Sequence, residues 1–290
     1  MYKRRKQQTI ARSAAVEGVG YWSGQGVRVE FRPAEPDSGI VFVRSDLAGR
    51  PRIPANVAQR TDTPRRTNLH VADATVDMVE HVMAALAGLQ IDNCEIWANA
   101  AEMPGCDGSS KAFVEALDAA GPLAQEPLRE QRVIRDVIRV GNEDSWIEAR
   151  PCCSGKTVLQ YELDYGPRNV IGRQVLELVL APDVFRRELA CCRTFTLKAE
   201  AEAMQRRGLG RHVAFSDLLV FDESGPIDNQ LRFPDECVRH KMLDMAGDLA
   251  LAGCELIGRF SAFRSGHHLN AELVRAVLAE RATQSLKRCA

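Results

Sequence analysis

The chain has 290 residues, a formal net charge of -1 and 45% hydrophobic residues. At about 150 residues per domain this length suggests two compact domains or one large one, with a sizeable core, and the near-zero charge excludes a general electrostatic drive toward nucleic acid. No apolar run approaches about 18 residues and no apolar core follows the first charges, so neither a membrane-spanning helix nor a secretory signal is expected.

The basic run Lys3-Arg4-Arg5-Lys6 reads as a solvated charge cluster. Val27 to Phe31 alternates as a strand, residues 32–39 form a turn rich in Pro and Gly, and Ile40 to Val43 is a buried strand. Residues 60–70 are mostly polar and read as a loop. Val79, Val82, Met83 and Leu86 then fall at helical spacing, which predicts a helix over Val76–Ala87 with Gly88 as its C-cap. A strand over Ile91–Trp97 follows. Asp107-Gly108-Ser109-Ser110 is a turn whose end N-caps a helix over Lys111–Ala120, stopped by Gly121-Pro122. Near the C-terminus a helix is predicted over Asp235–Leu251, stopped by Gly253. A strand over Glu255–Phe263, a turn at Ser265–His268 and a helix over Leu269–Ala282 complete the chain.

Glu80 to Ala120 and Arg239 to Ala282 thus share one plan: helix, Ala-Gly stop, strand, turn, helix. This weak internal repeat suggests two related domains packed together, parting near the polar stretch Ala124–Arg132. Binding sites favour such interfaces. The nine cysteines contain no C-x-x-C, and Cys152-Cys153 and Cys191-Cys192 are adjacent pairs. An odd count with no signal peptide fits a reducing cytoplasm, where they are expected mostly as small core residues.

His240, Asp244 and Asp248 lie at i, i+4 and i+8 and form one polar stripe. A His and a carboxylate one turn apart can bind one divalent ion. Taken alone, a surface helix with a favourable His–Asp pair is the commoner cause of such spacing. Glu80-His81 can deliver a base and a metal ligand, or be a dipole-favoured Glu beside a core His. His267 follows a Gly in a turn, where catalytic groups often sit, and His268 beside it reads as an ordinary turn residue. Spacing alone does not select these residues over other polar ones.

At these residues the chain resembles the UDP-3-O-acyl-N-acetylglucosamine deacetylases, zinc amidohydrolases of lipid A synthesis. The likeness is strongest over EHVMAALAGLQIDN (Glu80 to Asn93), MPGCDGS (Met103 to Ser109), Arg193-Thr194-Phe195 and Leu231 to Asn270. It implies an α+β fold of two related domains, each a small sheet layered with helices, over residues 1–128 and 129–290. An insert is expected around 195–222, with the active site between the domains. The resemblance implies His81, His240 and Asp244 as ligands of Zn2+, with Fe2+ possible on the same donors. It implies Glu80 as general base, His267 as a charged acid or electrostatic stabiliser, Asp248 as the partner that raises the pKa of His267, and Thr194 as the oxyanion hydroxyl. Lys241 falls near the substrate phosphates. Phe195 and Arg264 fall among the substrate contacts. The implied reaction releases acetate from the UDP-linked acylated sugar in the cytoplasm. No oligomeric state is predicted.

Three departures stand out. Gly208-Leu209-Gly210-Arg211-His212-Val213-Ala214-Phe215 replaces a glycine-rich run that lines an acyl tunnel in the family, so His212 and Val213 either narrow it or are displaced from it. Trp22 in Gly20-Tyr21-Trp22-Ser23-Gly24 stands where the family tends to carry His. Arg264 stands where Lys is common. These leave open a paralogous deacetylase of another N-acetyl sugar nucleotide or glycolipid. A non-catalytic sugar-nucleotide binder is the third alternative, and the retained Glu80 argues against it.

Overall fold

Alternating side chains build two sheets of one topology. The computed structural model describes residues 4–210, 212–215 and 217–288, so Lys3 and Arg211 lie outside the described residues. In Gly26–Pro33, Val27, Val29 and Phe31 are buried while Arg28, Glu30 and Arg32 point outward. This strand lies second in a five-stranded sheet ordered Ala14–Val19, Gly26–Pro33, Cys94–Ala98, Ile40–Arg44, Arg52–Pro54. Successive pairings are antiparallel, antiparallel, parallel and antiparallel.

The second sheet runs Ile138–Gly141, Trp146–Arg150, Glu255–Phe263, Thr157–Asp164, Arg173–Val179 with the same sequence of pairings. A sixth strand, Gln131–Val133, adds in parallel to the start of Glu255–Phe263. In each half the last strand enters the middle of the sheet, preceded and followed by a helix. These are Glu80–Gly88 and Lys111–Ala120 in the first half, and Glu236–Leu249 and His267–Arg288 in the second. The expected pair of related α+β domains is therefore observed.

The two inner helices, Glu80–Gly88 and Glu236–Leu249, pack against each other. A Cβ on Gly247 would stand 2.1 Å from the carbonyl oxygen of Glu80, so only glycine permits this approach. The two Ala-Gly stops differ in cause. Gly253 takes the left-handed conformation at φ 70 and ends its helical segment. Gly88 is the last helical residue, and a Cβ there would meet the ring of Phe185 at 2.2 Å, so its glycine serves packing rather than capping.

Several sequence expectations need correction. The first inner helix begins at Glu80, because Val76 belongs to the strand Ala74–Asp77. Met78 at φ 58 breaks the chain between them. Residues 60–70 are not simply a loop: Arg60–Thr61, Asn68–Val71 and Ala74–Asp77 form a three-stranded antiparallel sheet. The strand predicted from Ile91 begins at Cys94, and the last helix begins at His267. Pro122–Leu128 is a strand paired with Lys6–Ile10. Ser110 makes no cap with its side chain; its hydroxyl donates to the carbonyl of His81 at 2.8 Å. Of the described cysteines only Cys94, Cys192 and Cys237 are buried, and Cys153 is exposed, so the thiols are not mainly core residues.

Both sheets carry an insertion at the same step, between the edge strand (Arg52–Pro54 in the first half, Arg173–Val179 in the second) and the inner helix. In the first half it is the three-stranded sheet. In the second it includes the helix Lys198–Arg206 and the parallel pair Phe195–Leu197 and Leu219–Phe221. The inner helices and these insertions bound one cleft of about 970 Å³. Among the described residues, no helix is long and apolar enough to cross a membrane.

Candidate metal centre and active site

Glu236–Leu249 is buried around most of its circumference, and His240, Asp244 and Asp248 are each at most 3% exposed. The stripe is therefore not a solvated helix face. Buried polar groups need partners, and these come from elsewhere in the chain. The first turn of Glu80–Gly88 brings His81 opposite, with its ring 5.0 Å from that of His240 at an angle of 86°. One donor atom each from His81, His240 and Asp244 lies within 4.8 Å of the others. His81 Nε2 and His240 Nε2 stand 3.5 and 3.3 Å from Asp244 Oδ1.

This donor set fits a divalent metal. Asp244 Oδ1 is buried without a hydrogen-bond partner, a costly state unless a cation meets it. Asp244 Oδ2 accepts from Lys241 Nζ at 2.6 Å, which turns Oδ1 toward the histidines. The carbonyl of Cys192 lies 3.0 Å from His240 Nδ1, so that nitrogen carries the proton and Nε2 keeps its lone pair. Two imidazoles and a carboxylate form the open three-ligand arrangement typical of catalytic sites for zinc, and the donors also suit iron.

Around the cluster stand two further buried titratable groups, Glu80 and His267. Glu80, buried in the first helical turn, accepts from the backbone N–H of Thr67 at 2.9 Å through Oε2. Burial pushes its carboxyl above the usual range, against the pull of His267 and His81. His267 Nδ1 donates to Asp248 Oδ2 at 2.8 Å. Burial works against charge on the imidazole, but Asp248 outweighs it and holds the pKa raised to about 9. His240 is driven the other way, to about 4, chiefly by burial. Burial opposes ionisation of Asp244, yet His240 and Lys241 hold its carboxyl well below the ordinary range.

The fold brings all ten residues singled out in the sequence to this one place. Glu80, His81, Thr194, Phe195, His240, Lys241, Asp244, Arg264 and His267 line the cleft, and Asp248 stands behind His267. The Thr194 backbone N–H donates to the carbonyl of Gly108 at 2.7 Å, and the preceding Arg193 is locked to buried Glu236 at 2.9 Å. The Phe195 ring meets that of His240 edge-on at 6.3 Å. Arg264 takes φ 50 at the end of its strand.

Other residues of the site were not singled out. Thr67 and Asn270 donate to Asp248. Arg65, Tyr165 and His268 border the cleft, and His268 lies in the first turn of the helix His267–Arg288 rather than in a turn between elements. Its ring lies 3.2 Å from Asp62. Of these, His268 stands in the Gly-His-His stretch and Asn270 closes the segment Leu231 to Asn270; the others gave no sequence signal.

A small apolar pocket of about 90 Å³ adjoins the cleft beneath the insertion. Trp22, Met204, Leu209, Val213, Phe215 and Leu218 are among its walls. Val213 lines it, whereas His212 is turned away: its ring lies against Gly24 and its Nε2 donates to the carbonyl of Gly20 at 2.9 Å. Glu102 holds the same turn by accepting from the N–H groups of Trp22 and Ser23 at 2.7 and 2.8 Å. The Trp22 ring carries the Arg66 guanidinium at 4.8 Å.

A family model described as UDP-3-O-acyl N-acetylglycosamine deacetylase matches residues 7–279. Relatives named UDP-3-O-acyl-N-acetylglucosamine deacetylase from Brucella ovis, Brucella canis and Brucella suis are each 39% identical over 276 residues. These alignments cover 94% of this chain and 96% of the relative.

Proposed function

The chain belongs to the UDP-3-O-acyl N-acetylglycosamine deacetylase family, and from that membership we propose that it hydrolyses the acetamide of UDP-3-O-acyl-N-acetylglucosamine. Acetate leaves and a free glucosamine amine remains, a step of lipid A synthesis. The observation that carries this reading is the buried, unpartnered Asp244 Oδ1 facing two histidines, with Glu80 and His267 at the same cleft.

We assign His81 Nε2, His240 Nε2 and one oxygen of Asp244 as the ligands of Zn2+ or Fe2+. When bound, the ion supplies Lewis acidity to the amide carbonyl and to a water nucleophile. Glu80 takes the proton of the attacking water, and the burial that raises its pKa makes it a stronger base than a solvated carboxylate. Its Oε2 is fixed by Thr67, so the carboxylate is oriented before substrate arrives. The Thr194 hydroxyl steadies the oxyanion. His267 is protonated at neutral pH, and with Nδ1 held by Asp248 it delivers a proton from Nε2 to the departing amine nitrogen. Lys241 and Arg264 set positive charge at the cleft for the diphosphate, and Phe195 offers the sugar an apolar face. The pocket lined by Val213 and Leu218 suits the 3-O-acyl chain. Trp22, which lines both the cleft and that pocket, favours a second reading, the same hydrolysis on another N-acetyl sugar nucleotide or glycolipid.

The test is deacetylation of UDP-3-O-acyl-N-acetylglucosamine over several acyl lengths by wild type and Glu80→Ala, with metal content measured in both. Turnover that collapses in the metal-loaded variant is expected. A metal-loaded wild type inert at every length overturns the substrate assignment.

A further inference from the structure

Thr67 is 1% exposed and lies just before the strand Asn68–Val71. All three of its polar groups are committed to the site. Its N–H donates to Glu80 Oε2 at 2.9 Å. Its carbonyl accepts from the N–H of Val79 at 3.1 Å, fixing the residue before Glu80. Its hydroxyl donates to Asp248 Oδ1 at 2.6 Å. The other oxygen of Asp248 receives His267 Nδ1–H and Asn270 Nδ2–H, both at 2.8 Å. One residue of the first half's insertion thus touches both acid–base arms, Glu80 and the Asp248–His267 pair, 13 residues from Glu80 and 181 from Asp248.

We infer that Thr67 is a positioning residue that couples the two arms, fixing Glu80 through its backbone and the Asp248–His267 pair through its hydroxyl. The inference rests on the deacetylase reading for the roles of Glu80 and His267. Asp248 is 1% exposed, and a buried carboxylate stays put only when both oxygens are met by donors. Anchored at Oδ1 by Thr67 and at Oδ2 by His267 and Asn270, it cannot rotate about its terminal bond. Removing the hydroxyl frees that rotation and with it the tilt of the His267 ring. A β-branched residue has a restricted χ1. The angle between the donor facing Glu80 and the donor facing Asp248 is therefore set by one stiff side chain, which a serine reproduces only in part.

The experiment compares Thr67→Val, Thr67→Ser, Asp248→Ala and the Thr67→Val/Asp248→Ala double variant in the metal-loaded full chain. Thr67→Val keeps the backbone donor and the side-chain shape and removes only the hydroxyl. Its kcat is expected to fall about 10- to 100-fold, the scale of one lost hydrogen bond to a charged group, with KM and metal content unchanged. Thr67→Ser loses about two- to fivefold on the same reasoning. The double variant is no slower than Asp248→Ala alone, because the hydroxyl acts through Asp248. A downfield proton signal from His267 Nδ1–H, assigned by its loss in His267→Ala, moves in Thr67→Val and moves less in Thr67→Ser.

A wild-type kcat with an unmoved signal in Thr67→Val overturns the coupling, as do losses that multiply in the double variant. Should Thr67→Val not fold, Thr67→Ser decides by the same two readings. If the wild type turns nothing over, the proposed function fails. The proton signal then still judges Thr67: an unmoved signal overturns its hold on His267, and a moved one supports it.

Discussion

The helices Glu80–Gly88 and Glu236–Leu249 occupy the same step of two sheets with identical strand order, yet they lay out their polar residues differently. The first carries Glu80 and His81 in its opening turn, and every later position is apolar or glycine. The second carries His240, Asp244 and Asp248 along its buried length, from its second turn to its last. A helix end tolerates polar groups cheaply, since its first N–H groups are unpaired and its dipole favours a carboxylate. A buried helix tolerates them along its length only where each finds a partner. Those partners are His81, Thr67, His267 and Asn270, while Asp244 Oδ1 is left open beside the two histidines. A repeated scaffold therefore yields one site rather than two, because each copy completes what the other leaves unsatisfied.

The sharpest way to test this division is to disable one contribution from each helix. Glu80→Gln keeps the shape and the Thr67 contact but removes the base, and kcat is expected to drop about 10²- to 10⁴-fold with metal retained. Asp244→Ala removes a ligand from the other helix, and its loss should coincide with loss of metal. Equal metal loss in both variants breaks the division into a base on one helix and two ligands on the other.

The next effect concerns the contact between the helices. Gly247→Ala places a Cβ against the Glu80 carbonyl, and the resulting overpacking is expected to cost about 1–3 kcal/mol. Denaturant unfolding measures the loss. Metal affinity should fall with it, because His81 and His240 sit on opposite sides of that contact. Unchanged stability shows the helices to be more loosely held than this spacing requires.

A smaller, graded effect comes from pH. His267 has its pKa raised to about 9 from an ordinary 6.5. The stability it contributes is therefore full below about 6.5 and is lost as pH rises through about 9. kcat/KM should follow the same basic limb, halving near pH 9. On the acid side the limb lies above the usual carboxylate range, since burial raises Glu80. Thermal unfolding across this window, compared with His267→Ala, checks the sign: the variant should lose the alkaline decline.

The repeat was legible in the sequence because it is written in local pattern. Lys111–Ala120 and Glu255–Phe263 have the predicted bounds, each being a run of one clear period. The start of the first inner helix was misread because Val76 happens to fall at helical spacing from Val79 while lying in a strand that alternates over four residues. The three short strands between residues 60 and 77 were illegible at Arg60–Thr61 and Asn68–Val71, since two to four mixed residues carry no period. The ligand stripe was visible, but its meaning hinged on burial, which spacing on a polar helix does not reveal. Thr67 left no local sign, because its role consists of contacts to two carboxylates brought together only by the packing of the two halves.

The smallest effect lies in the insertion of the second half, where the first half reaches across to close the apolar pocket with Trp22. Val213 stands on the wall, and His212 faces the Gly20–Gly24 turn instead. Shortening the wall residue should therefore change chain-length selection, at about 0.8 kcal/mol for each methylene newly buried. Val213→Ala is expected to shift kcat/KM a few-fold toward a chain about one or two methylenes longer. The rate on the best substrate should stay close to wild type, since the acid–base arms are untouched. Trp22→Ala opens the same pocket from the opposite half and should shift the profile in the same direction. Parallel shifts make the pocket a joint product of both halves, like the metal centre. A shift in Val213→Ala alone confines acyl selection to the second half, and no shift in either removes this pocket from the path of the acyl chain.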